Sequence, residues 1–272
     1  MRAQVQESII EIDGLSISYK DCGAGETPVI FIHGFPFDKS SWYDQLEHLQ
    51  DKRRVIAYDI RGFGKSTAGD MKASMDIFAR DLIGFMDALH IRQAVICGLS
   101  MGGYIALNAV QNYPERFRGL VLCDTQSVAD TPEGKEKRYK NIELIEHNGL
   151  NEFTDAFISK VFAKHTLDHK KEVTDRIRAT ILNTPVPTLA RTLSALAQRV
   201  ETSSVLEHID IPTLIICGAE DEVTPPEQSR FLHQHIKHSE YKEIPVAGHL
   251  SNLEQPAIFN RYLEEWLDSR GL

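Results

Sequence analysis

Ala94-Val95-Ile96-Cys97-Gly98-Leu99-Ser100-Met101-Gly102 joins an apolar run too short for a helix to a second apolar stretch that starts at Met101. The joint is a G-x-S-x-G turn. A serine hydroxyl is a poor nucleophile until it is lifted clear of its neighbours and aimed at a base. A sharp turn from a buried strand into a helix does this, and the strained backbone leaves room only for glycine two residues either side of the serine. Such a turn also directs the Met101 N–H, at the positive end of a helix, towards a developing oxyanion. A strand before the motif and a helix after it separate this reading from an idle glycine-rich turn.

Working outward, short apolar runs alternate with amphipathic ones. On the N-terminal side, Val5 to Ile12 and Leu15 to Tyr19 flank Asp13-Gly14 and predict a β-hairpin. Pro28 to Gly34 predicts a fully buried strand. A helix over Ser40 to Leu49, a strand over Arg54 to Tyr58 and a helix over Ser74 to Leu89 follow. Beyond the serine come a helix over Met101 to Gln111 and a strand over Leu120 to Cys123. This rhythm implies a parallel sheet covered by helices. It stops after Asp124: residues 126–208 hold only helical patterns, divided at Asn148-Gly149, around Thr166 to Asp168, and at Pro185 to Pro187. It resumes with a strand over Thr213 to Cys217, a helix over Pro226 to His235, a strand over Tyr241 to Ile244 and a helix over Pro256 to Leu267. The expected organisation is an α/β core from residues 1–125 and 209–272, with 126–208 inserted as a helical cap.

A serine nucleophile needs a base and a carboxylate to orient it. Of eleven histidines, His249 follows a strand-like run near the C-terminus, where loops at the carboxyl edge of a parallel sheet gather sites. His233, His235 and His238 lie along a polar helix end, and His165 and His169 sit among lysines without a clear helical frame. Gly218-Ala219-Glu220-Asp221-Glu222-Val223-Thr224-Pro225 begins where a strand ends and offers Asp221 as the acid. Glu220 and Glu222 are its neighbours, and Asp124, which also ends a strand, is the rival. In His33-Gly34-Phe35-Pro36 the Phe35 N–H is the expected partner of the Met101 N–H in an oxyanion hole, since Pro36 cannot donate. His33 reads as a residue that shapes this loop. Gly34, Pro36, Thr125, Val223 and Leu250 are the expected lining of a substrate pocket. Phe153, Phe157 and Phe162 read as core packing of the cap.

The net charge of −9 argues against a nucleic acid or an anionic membrane as partner. No run approaches the roughly 20 apolar residues of a membrane span. Met1 to Ser8 lacks the apolar core of a signal peptide, so a cytoplasmic protein is expected. The four cysteines are scattered and read as buried thiols; neither a disulfide framework nor a metal site is expected. Gly64-Lys65-Ser66 resembles the tail of a phosphate-binding loop, but the required first glycine falls on Asp59. Gly23-Ala24-Gly25 opens like a dinucleotide fingerprint, yet its third glycine position is Pro28 and a strand follows.

Five segments, in order, resemble the capped α/β-hydrolase superfamily: His33-Gly34-Phe35, Asp59-Ile60-Arg61-Gly62-Phe63-Gly64-Lys65-Ser66, Gly98 to Gly103, Gly218 to Pro225, and Gly248-His249. Within it, the chain resembles the small carboxylesterases, 3-oxoadipate enol-lactonases and cofactor-free haloperoxidase-like perhydrolases. The resemblance implies an eight-stranded, mostly parallel sheet with helices on both faces, a helical cap after strand six, and no cofactor. Relatives that cleave carbon–halogen bonds or epoxides carry aspartate at the nucleophile position, so Ser100 points to acyl chemistry. The expectation is a serine hydrolase acting on small, moderately apolar esters through Ser100, His249 and Asp221. Enol-lactone, thioester or carbon–carbon bond hydrolysis and peracid formation stay open within enzymes, and a non-catalytic ligand receptor outside them. The sequence leaves the natural substrate and oligomeric state open.

Overall fold

A computed structural model describes residues 7–69 and 73–272, so Val5 and Gln6 of the first expected strand, like most of the N-terminal stretch read for a signal, lie outside the described residues. Eight strands form one sheet: β1 (Glu7–Ile12), β2 (Leu15–Cys22), β3 (Val29–Ile32), β4 (Val55–Tyr58), β5 (Ala94–Leu99), β6 (Phe117–Cys123), β7 (Thr213–Gly218) and β8 (Ser239–Ile244). Their spatial order is β1-β2-β4-β3-β5-β6-β7-β8. β2 runs antiparallel to β1 and β4, and every other pairing is parallel.

The β1–β2 hairpin closes at Asp13-Gly14, where φ is +47° and +79°. Two left-handed residues in succession match the right-handed twist of the strands they join. β3, β4, β5 and β7 are buried along their whole length, as a sheet covered on both faces requires. β6 begins at Phe117 and β8 at Ser239, both earlier than the apolar runs suggest. Backbone pairing sets these ends, Ala94 with Phe117 and Thr213 with Ser239, and pairing does not ask for apolar side chains.

Helices α1 (Tyr43–Leu49), α2 (Met75–Ala88), α3 (Met101–Asn112), α9 (Pro226–His235) and α11 (Pro256–Arg270) cover the sheet, α1 against α11 and α2 against α3. The stretch expected as one helix from Ser40 is a 3-10 turn over Lys39–Trp42 leading into α1. Asp38 caps that turn, accepting from the Ser40 N–H at 2.9 Å. Ser74 caps α2 by accepting from the Ile77 N–H.

Between β6 and β7 the chain is helical: α4 (Pro132–Asn148), α5 (Leu150–Val161), α6 (Lys164–His169), α7 (Lys171–Asn183) and α8 (Val186–Gln198). α4 packs on α8, and α5 on α7. Gly149 breaks the chain between α4 and α5 with φ +79°. The division expected around Thr166 to Asp168 is instead the body of α6, and the breaks fall at Phe162-Ala163 and Lys170. Thr166 is fully buried, so tertiary packing outweighs its weak helix propensity. The two ends of this helical segment meet: the Thr202 N–H donates to Ser127 O at 2.9 Å, and buried Arg199 pairs with Asp130.

Candidate active site

The strand order reverses at β3, whose neighbours are β4 and β5, and such a switch point opens a crevice at the carboxyl ends of the strands. Ser100 follows β5 there, with φ +52° and ψ −113°, a strained conformation for a residue with a side chain. The turn is held by close packing. A Cβ on Gly98 would lie 2.3 Å from Gly102 O, and one on Gly102 2.2 Å from Ile32 O. The Ser100 N–H donates to Cys123 O at 2.9 Å, and the Thr125 hydroxyl donates to Ser100 O at 2.8 Å.

His249 follows β8 and places Nε2 2.8 Å from Ser100 Oγ. Its Nδ1 lies 2.8 Å from Asp221 Oδ2, in the loop after β7. Both Asp221 oxygens have further donors: the Val223 and Thr224 N–H groups on Oδ1, and the Thr224 hydroxyl on Oδ2. Burial by itself would raise the Asp221 pKa. The adjacent imidazole and the Thr224 donors outweigh it and bring the carboxyl below its usual range. Burial likewise pulls His249 down, but the Asp221 charge and hydrogen bond carry its pKa above the ordinary value. Ser100, Asp221 and His249 are all buried, and only Ser100 keeps as much as 8 % exposure.

Glu220 and Glu222 are exposed. Asp124 is fully buried but turned to other work: Oδ1 accepts from the Gly218 N–H at 2.8 Å and Oδ2 from the Ser251 hydroxyl at 2.6 Å. It thus ties the strand that carries Asp221 to the segment after His249. Burial, and next the charge of Asp221, push Asp124 well above the carboxylate range.

Gly34 packs against the serine, so that a Cβ on it would lie 3.2 Å from Ser100 Cβ. This brings the Phe35 loop beside the turn, with Met101 opening α3 and so leaving its N–H without an intrahelical partner. His33 shapes the loop: Nδ1 contacts Gly34 O at 2.9 Å, and Nε2 accepts from the Ile60 N–H at 3.0 Å. An acceptor at Nε2 leaves the proton on Nδ1, and complete burial keeps this ring's pKa low. Asp59 accepts from the Lys39 N–H and ammonium and from the Lys65 N–H, which anchors the glycine-rich segment after β4.

Of the expected pocket residues, Gly34 and Pro36 lie buried in the loop beside Ser100, and Leu250 is fully buried next to His249. Val223 is half-buried beside Asp221, and Thr125 lies beneath the turn with its hydroxyl on Ser100 O. Phe35 meets Phe153 and Phe157 of α5 edge-on, at centroid distances of 6.4 and 6.3 Å, so α5 packs directly over this loop. His165 and His169 both lie on α6, a helical frame the sequence did not make clear, with their rings tilted and their centroids 4.8 Å apart; among the described residues no group of three or more His, Cys, Asp or Glu could hold a metal ion. Three contributors escaped the sequence: Thr224, Ser251 and Glu254. The last two lie on α10 (Ser251–Glu254), one turn too short to show a periodicity.

A family model described as "alpha/beta hydrolase fold" matches residues 27–256. The chain is 30 % identical over 251 residues to 3-oxoadipate enol-lactonase 2 of Acinetobacter baylyi, covering 92 % of each. It superposes on a thermophilic esterase from Thermogutta terrifontis with a TM-score of 0.92 and 34 % identity, over 97 % of this chain and 99 % of that one. The enol-lactonase from Burkholderia xenovorans LB400 gives 0.89 at 26 % identity, over 96 % and 100 %.

Proposed function

Because this chain belongs to the alpha/beta hydrolase fold family, we propose that it is a serine hydrolase cleaving small carboxylic esters or lactones, with Ser100 as nucleophile, His249 as base and Asp221 as the orienting acid. The observation that carries this reading is the continuous relay of two 2.8 Å contacts, Ser100 Oγ to His249 Nε2 and His249 Nδ1 to Asp221 Oδ2. Likeness to an esterase and to two enol-lactonases supports the substrate class.

In this mechanism His249 Nε2 takes the Ser100 proton as Oγ attacks the carbonyl carbon. The Phe35 and Met101 N–H groups hold the negative oxygen of the tetrahedral intermediate. His249 then gives its proton to the departing alkoxide; in a lactone that group stays tethered to the acyl part. Water, deprotonated by the same imidazole, releases the acid and restores Ser100. Asp221 fixes the tautomer and stabilises the imidazolium without itself taking the proton. The reaction so written uses protein groups and water alone. The helical segment 126–208 acts as a cap, with the α5 rings beside Phe35 bounding the acyl group.

The test is hydrolysis of p-nitrophenyl esters from acetate to palmitate, and of small lactones, by the wild type and by Ser100→Ala. Turnover of short chains that falls on the order of 10⁶-fold in the variant is expected, as loss of a triad nucleophile costs elsewhere. Turnover of long-chain esters alone, or equal rates in the variant, would overturn the reading.

A further inference from the structure

Glu254 takes no part in the relay, yet its carboxylate is fully buried and each of its oxygens accepts a backbone N–H. Oε1 accepts from the Gly248 N–H at 2.8 Å, on the residue before His249. Oε2 accepts from the Ala163 N–H at 2.9 Å, just past the end of α5. The His249 N–H itself donates to Val161 O, the last residue of α5, at 2.9 Å. The two segments touch so closely that a Cβ on Gly248 would lie 2.7 Å from Ala163 N. Lys170, between α6 and α7, donates to the Glu254 carbonyl. A buried carboxylate is costly unless its donors are fixed, so this cluster holds one geometry.

We propose that Glu254 is a positioning residue: it clamps Gly248 to Ala163 and so sets the His249 ring against Ser100 from the end of α5. The clamp makes the helical segment over the site and the base one mechanical unit. A substrate that displaces α5 therefore also displaces His249 and loses turnover, not binding alone. This rests on the serine hydrolase reading.

Two variants separate geometry from charge. Glu254→Asp keeps the charge but is one methylene too short to span both N–H groups. Glu254→Gln keeps the length, turns a donor towards a donor, and removes a negative charge that helps raise the His249 pKa. Rates are measured per active site titrated with a fluorophosphonate, across pH, beside the melting temperature. In both variants kcat falls 10- to 100-fold, the scale expected of a displaced catalytic group, with a smaller change in KM. Only in Glu254→Gln does the acid limb also move to lower pH. Unchanged kcat per titrated site and an unmoved limb, with only a lower melting temperature, would reduce Glu254 to a structural role. If neither variant folds, Lys170→Ala frees the Glu254 carbonyl and so loosens the backbone that carries the clamping carboxylate: a severalfold loss of kcat supports the clamp, and wild-type kcat overturns it. A wild type that the fluorophosphonate does not label would sink the serine hydrolase reading instead.

Discussion

At the scale of single residues, two opposing effects decide how His249 titrates. Burial disfavours the imidazolium, while Asp221 2.8 Å away favours it, and the second wins. In the mechanism proposed the base acts as neutral imidazole, so activity is expected to fall as pH drops through its pKa, and a raised pKa places that acid limb above the ordinary midpoint of about 6.5. Asp221→Asn removes the stabilising charge: the limb shifts to lower pH, and kcat falls around 10⁴-fold. A pH–rate profile of each variant checks both statements. Asp124 belongs to the same argument. It hydrogen-bonds Gly218 and Ser251, so Asp124→Asn is expected to cost far less turnover than Asp221→Asn. A dead Asp124→Asn beside an active Asp221→Asn would hand the acid role to Asp124.

At the scale of elements, the loop from β8 to His249 carries backbone strain at Val246, whose carbonyl accepts from the Gln255 side-chain amide at 3.0 Å. Val246 holds φ +55°, a left-handed conformation that a β-branched side chain resists, and it is 41 % exposed. Asparagine tolerates this conformation, and Val246 buries little that would be lost. Val246→Asn is expected to relieve roughly 1 kcal/mol and raise the melting temperature by about 2–4 °C. Calorimetry decides it, and a lower melting temperature would mean that the valine packing matters more than its backbone. Ser100, at φ +52°, is the contrast: there the strain aims Oγ at His249, and relaxing it would cost the function proposed.

At the scale of the whole molecule, the helical segment 126–208 is fastened where it leaves and rejoins the sheet. Arg199, its side chain 2 % exposed, pairs with Asp130, donates to Val128 O and stacks over Tyr104 with its guanidinium carbon 4.2 Å from the ring centroid. Arg138 reaches the same carboxylate. Asp130→Ala strips a buried guanidinium of its counter-charge, for which about 3–5 kcal/mol is the usual cost. The urea midpoint is expected to fall accordingly, and a midpoint at the wild-type value would refute the fastening.

The sequence by itself determined what is local. Residue types and short spacings announced the turn at Ser100, the buried strands, the Asp13-Gly14 hairpin and the helical character of 126–208, because steric demand and apolar periodicity act over a few residues. It also named the carboxylates and histidines available. It favoured Asp221 over Asp124 as the acid, but it could not give the distance of either carboxylate from His249, which depends on where each loop turns once β6, β7 and β8 lie side by side. It paired Ser100 with His249 by motif and position, but it could not show the 2.8 Å contact that closes the 149 residues between them, or Glu254 bridging Gly248 and Ala163. Those relations are distances between separate loops. Only packing of the sheet and its helices sets them, because chain spacing fixes no distance beyond the element it belongs to.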